Sequence, residues 1–254
     1  MTTVLLPRHG PPPARASPSS VTPPGAEGGT SREEEFKFRL PSEAALNAVA
    51  AAAGGPGTRT VQTNHVFDTA DLDLFRSGFR LRLRQESGTW TLAAKGSKEP
   101  SEFKSLKRKV EVERPVSERL ARELIAGRRS PLEALQSHGA LNTADRAWVQ
   151  ALARRLGAKP VAHLGRFTNE RTRIPARLPA QEGDVRVTLE LDRTQLPGGR
   201  VDFEAEVELP PGAEPKRVEG ALRGLFHRAG VKPESSSGKV KRFFEALDRV
   251  DLFS

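Results

Sequence analysis

The chain has 254 residues, no cysteine and a formal charge of +9. Without cysteine there is no disulfide and no thiolate metal site, so any metal would be held by oxygen or imidazole. The five histidines are scattered without ligand spacing, which leaves oxygen ligands and favours Mg2+, Mn2+ or Ca2+.

The basic balance raises a nucleic-acid reading. Residues 1–31 carry only Arg8, Arg15 and Glu27, so the excess lies further on, where acids and bases interleave. That pattern argues against nucleic acid as the partner. The start has no apolar signal segment, and no stretch reaches membrane-spanning length. A cytoplasmic protein with no membrane partner is expected. The sequence leaves the oligomeric state open.

Residues 1–31 are rich in Pro, Gly, Ser and Ala. They lack the apolar residues to offset ordering entropy and read as a disordered leader. The first strand, Glu33–Leu40, alternates with period two. Ser42 then caps a helix through the Ala-rich run to Ala53, stopped by Gly54-Gly55-Pro56-Gly57. A strand over 58–67 leads into a turn and short helical segment at 68–74. Strands over 79–86 and 89–95 form a hairpin around Ser87-Gly88. A strand over 106–113 precedes a helical stretch, 115–158, broken near 127–131 and 139–142. Strands follow at 160–168, 169–175, 184–193 and 201–209, and helices at 214–229 and 238–249 close the chain.

Charge recurs on one face of strand after strand. Glu33, Glu35, Lys37 and Arg39 oppose Phe36, Phe38 and Leu40. Arg80, Arg82 and Arg84 oppose Phe79, Leu81 and Leu83. Later strands place Lys95, then Lys107, Lys109, Glu111 and Glu113, then Arg171 and Arg173 on such faces. Glu190 with Asp192, and Asp202 with Glu204 and Glu206, complete the set. For any single strand a solvated outer face explains this. For the set it does not, because neutral polar residues are sparse and adjacent arginines repel unless an anion lies among them. A closed barrel with a charged lumen and helices over its apolar exterior meets the pattern. The ligand it implies is polyanionic and accompanied by a divalent cation.

These residues resemble the CYTH superfamily of triphosphate tunnel metalloenzymes. Glu33-x-Glu35-x-Lys37 looks like its ExExK signature. His65-Val66-Phe67-Asp68-Thr69 resembles its aromatic-Phe-Asp-Thr segment, with His65 in place of the usual aromatic. Leu81-Arg82-Leu83-Arg84 is similar to its Leu-Arg-x-Arg, and Lys95 ends the hairpin. Arg171 stands where a lone arginine is expected, and Asp192, Glu204 and Glu206 match the later acidic set. Ser237-Gly238-Lys239-Val240-Lys241-Arg242 resembles Ser-Lys-x-x-Arg with one glycine inserted, so Lys239 or Lys241 is the lysine. The likeness spans about residues 32–249. The helical accessory domain fused to many bacterial members is not expected.

The resemblance implies an α+β fold at 32–250, built on an antiparallel eight-stranded closed β-barrel. It implies a metal-dependent triphosphatase acting on inorganic triphosphate or a small organic triphosphate. Lys37, Arg82, Arg84, Lys95, Arg171, Lys239 and Arg242 would bind substrate. Glu33, Glu35, Asp192, Glu204 and Glu206 would bind Mg2+ or Mn2+, and Lys37 and Glu35 would serve catalysis. An adenylate cyclase of the same fold, or a non-catalytic polyphosphate or RNA-end binding module, are the alternatives. Glu111 and Glu113 read as partners of the arginines. His163, Trp90 and Phe203 read as strand and packing residues, and Arg39 as a solvated strand end.

Overall fold

Alternating charged and apolar residues make strands with one face to bury, and the helices that follow them do the burying. The computed structural model describes residues 31–97, 106–137, 141–180 and 183–247. The side chains of 31–33, 97, 108 and 109 lie outside that description. The expected leader also lies outside it, except Ser31, which already pairs in the first strand.

The chain is α+β. Its described strands are β1 (Ser31–Leu40), β2 (Thr58–Asp68), β3 (Phe79–Glu86), β4 (Thr89–Ser97), β5 (Leu106–Val116), β6 (Ala162–Leu178), β7 (Val185–Gln195), β8 (Val201–Glu208) and the two-residue β9 (Glu234–Ser235). They form one curled antiparallel sheet in the order β5-β4-β3-β2-β6-β7-β8-β1-β9, and β1 pairs with β5 as well as with β8.

Helices cover the apolar face. Helices α1 (Glu43–Ala52) and α6 (Pro215–Arg228) pack on Phe36, Phe38, Leu189, Leu191 and Val207. Helices α3 (Glu118–Ile125), α4 (Pro131–Gln136) and α5 (Thr143–Leu156) cover Leu81, Leu83, Leu92 and Val112. A third apolar cluster joins Val66, Leu72, Phe75 and Phe167 to Phe243 and Phe244. The last two come from α7 (Lys239–Ala246), and Phe75 from the single turn α2 (Asp73–Arg76). Each fully buried Leu or Phe contributes roughly 1.5–3 kcal/mol, so the helices are fixed by burial more than by propensity. Trp90 and Phe203 pack in these clusters, as their apolar-face positions predict.

Local signals set the connections. Ser42 accepts a hydrogen bond from the Ala45 amide at 3.2 Å and starts α1. Ser87 and Gly88 both have positive φ, the two-residue turn that matches strand twist in the β3–β4 hairpin. Asp68 accepts amide hydrogen bonds from Thr69, Leu74 and Phe75 at 2.7–2.9 Å and so builds the turn into α2.

Two features differ from expectation. The strands expected at 160–168 and 169–175 are one 17-residue strand. Thr168 and Asn169, the expected break, pair with Thr63 and Gln62. The ladder instead shifts register between Val66 and Phe67, opposite Gly165 at φ +141°. A Cβ at Gly165 would lie 2.9 Å from the Phe243 ring, so glycine lets the strand bend over α7. The second difference is β9. It pairs with β1 at Phe38 and Arg39 and raises the described strands to nine.

Candidate active site

Strand register brings the charged residues together. Directly paired residues in an antiparallel ladder share a face. One rung therefore runs Arg171 (β6), Asp192 (β7), Glu204 (β8), Arg39 (β1). The next runs Arg173, Glu190, Glu206, Lys37. Residues as far as 169 apart in sequence, Lys37 and Glu206, become neighbours on the face opposite the helices.

Asp192, Glu204 and Glu206 are buried, and each offers a carboxylate oxygen within 4.8 Å of the others. Cations surround them. Lys37 Nζ lies 2.7 Å from Glu206 and 3.2 Å from Glu35. Arg171 grips Asp192 through Nε at 2.8 Å and Nη2 at 2.6 Å, and donates to Glu206 at 2.6 Å. Lys239 Nζ lies 2.8 Å from Asp192 and also pairs with Glu204 and Glu206. Arg242 donates to both oxygens of Glu204 at 3.2 Å and lies 2.8 Å from Asp202.

Uncharged groups hold the carboxylates in place. Asn169 donates to Asp192 at 2.9 Å and to Gln62 at 3.1 Å, and accepts from Thr194 at 2.8 Å. The Ser236 hydroxyl donates to Glu204.

The titration behaviour follows from this pairing. Burial alone would depress the Lys37 ammonium, but Glu206, Glu35 and Glu204 outweigh it and hold the group well above its ordinary value. Burial would raise the Glu206 carboxyl, but Lys239, Lys37 and Arg171 hold it well below its ordinary range. Asp192 is lowered in the same way, against burial, by Lys239 and Arg171. These groups are charged at neutral pH.

The β3–β5 wall is different. Arg82 lies 3.8 Å from Glu111 and from Glu113, and Arg84 lies 3.9 Å from Glu113; these are loose contacts. Lys95 sits closer, 2.5 Å from Glu111. Arg82 Nε and Nη2 and Arg84 Nε are buried with no hydrogen-bond acceptor among the described residues. Burial, then the neighbouring Arg82, pushes the Arg84 guanidinium down to about 10, with Arg171 also acting on it across the site. Buried guanidinium groups with unmet donors are costly and suit a polyanion.

Of the expected site residues, Lys37, Glu35, Asp192, Glu204, Glu206, Arg171, Lys239 and Arg242 come together as one network. Arg82, Arg84 and Lys95 form the adjoining wall. Glu35 touches Lys37 but is not one of the three clustered carboxylates, and the Glu33 side chain lies outside the described residues. Lys239 reaches the clustered carboxylates, whereas Lys241 is half exposed and faces Glu245 on its own helix. Arg80 shares the face of Arg82 and Arg84 but donates to the Phe75 and Phe79 carbonyls and stacks 3.9 Å over the Phe75 ring. Arg39 is half exposed, 3.6 Å from Asp202.

Sequence reasoning gave no role to Gln62, Asn169, Thr194 or Ser236. The only signal for the first three was their charged-face parity. The roles of Glu86 and Arg173 were also missed: Arg173 links Glu86 at 2.9 Å to Glu190 at 3.0 Å.

No described helix is long and apolar enough to cross a membrane. No match is found among curated proteins. Among solved structures, the chain is similar to HpAC1 from Hippeastrum, an adenylyl cyclase candidate described as having a dominant triphosphatase activity. The two share 26% identity over 84% of this chain and 95% of that one, with a TM-score of 0.66. A candidate adenylate cyclase from Bacillus halodurans has the same fold at 20% identity and TM-score 0.60, over 85% of this chain and 98% of that one. The CYTH domain model matches residues 31–239, the whole span that carries the sheet and its charged face, and the chain belongs to the CYTH domain family.

Proposed function

We propose that the protein is a metal-dependent triphosphatase whose sheet closes as a tunnel around its substrate. The β1–β5 pairing supports closure, since it joins the two ends of the eight long strands. The observation that carries the function is the pair of buried arginines, Arg82 and Arg84, with unmet donors on the same face as three clustered carboxylates. One wall suits phosphate oxygens; the other suits a hard cation.

Asp192, Glu204 and Glu206 fit a divalent ion. Two oxygens on one ion lie no farther apart than two bond lengths, about 4.2 Å for Mg2+ and about 5 Å for Ca2+; the three oxygens lie within 4.8 Å of one another, inside the Ca2+ limit, and would draw slightly closer on Mg2+. Glu35, 3.2 Å from Lys37, extends this acidic side. When bound, the ion would neutralise charge on the phosphoryl oxygens.

Arg82, Arg84 and Lys95 would hold the triphosphate, the arginines in bidentate fashion. Arg171 would reach it by exchanging part of its carboxylate contacts for phosphate. Water attacks the terminal phosphorus, a P–O bond to water forms, the bridging P–O bond breaks, and diphosphate and phosphate leave. Lys37, fixed by Glu35 and Glu206, would position that water. Such a site works by alignment and charge stabilisation.

A cyclase uses the same grip, and the likeness to HpAC1 favours triphosphatase activity as the main one. The test is a substrate panel with Mg2+ or Mn2+: triphosphate, thiamine triphosphate, ATP, GTP and long-chain polyphosphate, with phosphate and cyclic AMP read separately. Phosphate release from one or more of these is expected. Tight triphosphate binding with no turnover would instead make this a binding module.

A further inference from the structure

One side chain touches all three clustered carboxylates: the Lys239 ammonium, which pairs with Asp192, Glu204 and Glu206. The other cations each reach fewer. Arg171 contacts Asp192 and Glu206, Arg242 contacts Glu204, and Lys37 contacts Glu206. An ion bridging the three carboxylates needs the same oxygens, and therefore the same space, as the Lys239 ammonium.

We propose that Lys239 and a divalent cation are alternative occupants of the Asp192–Glu204–Glu206 carboxylates, so that loading the cation expels the lysine from them. This rests on the reading that these carboxylates hold a metal. The surroundings allow the exchange. Arg171, Arg242 and Lys37 keep the carboxylates in position after Lys239 leaves. Lys239 is the first residue of α7, and a Cβ at the preceding Gly238 would meet nothing within 4 Å. The helix stays anchored by Phe243, Phe244 and Arg242, all buried. The ammonium can therefore leave the carboxylates while the helix stays in place, and substrate oxygens bound on the same face would receive it. Metal loading and substrate binding are thereby coupled through one residue: the ion frees the ammonium, and the substrate stabilises it in its new place.

The test measures Mn2+ binding to the full chain without substrate, from the loss of the free Mn2+ paramagnetic resonance signal. Lys239→Gln is expected to bind Mn2+ at least about tenfold more tightly than wild type, the scale of a close charge–charge coupling. Lys95→Gln removes the same charge from the adjoining wall and is expected to gain no more than about threefold, a screened long-range effect. In wild-type protein, acylation footprinting gives a second reading that needs no variant: Lys239 reacts faster as Mn2+ is added. Equal gains in the two variants, or unchanged Lys239 reactivity while Mn2+ binds, would overturn the exchange. If neither wild type nor Lys239→Gln binds Mn2+, the metal reading itself is what fails.

Discussion

Arg242 is expected among the substrate ligands, and its contacts also make it a tie between α7 and the sheet. Its guanidinium is 2% exposed. It donates to Glu204 twice at 3.2 Å, to the Ser236 hydroxyl at 2.7 Å and to the Ser237 carbonyl, and lies 2.8 Å from Asp202. These contacts tie α7 to β8 beside the buried Phe243 and Phe244. Removing one partner of a buried ion pair costs about 3–5 kcal/mol. Here the low end applies, because Asp202 keeps Arg200 at 3.3 Å and Glu204 keeps Lys239. Arg242→Ala should therefore cost about 3 kcal/mol, and at about 2–4 °C per kcal/mol for a domain of this size Tm falls by about 6–12 °C. Lys241→Ala, on the exposed side of the same helix, should change stability by less than about 0.5 kcal/mol. Thermal denaturation followed by circular dichroism reads both. If Arg242→Ala melts within about 2 °C of wild type while its KM for triphosphate rises about tenfold or more, Arg242 is a phosphate ligand and not a tie between α7 and β8.

Arg84→Gln should lower triphosphate turnover about 100-fold, the usual loss for one aligned donor, without lowering Tm, since its buried Nε has no acceptor to lose; steady-state kinetics and melting curves check the two halves separately. His65 gives a pH prediction. Its ring is held down to about 4, first by burial and then by His163 and Arg166. A folded pKa below the unfolded value of about 6.5 means that protons favour the unfolded chain. Stability is therefore complete above about pH 6.5 and falls as pH drops toward 4. His65→Phe should remove that part of the slope, which melting curves of both proteins between pH 4 and 7 would show; parallel slopes would mean that His65 does not titrate on unfolding.

Much of the fold could be read from period-two alternation. Charged and apolar residues exchange faces with every step, so the buried face of β3, β7 and β8 followed from the sequence. The Ser87-Gly88 turn and the Ser42 cap were legible because each is a local signal with one structural solution. The continuity of β6 was not. Its bend depends on Gly165 meeting Phe243, a contact across 78 residues that no local pattern carries. The same holds for β9, whose two residues are a strand only because β1 lies beside them. At the site, parity showed which residues share a face, but register decided which ones touch. That Arg171 closes on Asp192 and Glu206, or that Asn169 holds Asp192, depends on how three strands slide past each other. Lys239 could not be separated from Lys241 in sequence; helical geometry turns one inward and the other to solvent.

The two walls of the site obey different electrostatics. On one, the carboxylates Glu35, Asp192, Glu204 and Glu206 face the cations Lys37, Arg171, Lys239 and Arg242, with contacts near 3 Å. Buried charge is tolerable there because each group has close partners of opposite sign. On the other, Arg82 and Arg84 face Glu111 and Glu113 only at 3.8–3.9 Å and leave buried donors unmet. A sheet that served stability alone would gain by replacing those arginines with apolar side chains. These arginines therefore cost folding free energy that a bound anion would return, and an anion bound there would lie on the same face as the paired wall. Its negative charge would stabilise every cation released from that wall. On the proposed reading, the loosely paired wall would supply the attraction, and the closely paired wall the charges that would rearrange as substrate arrives.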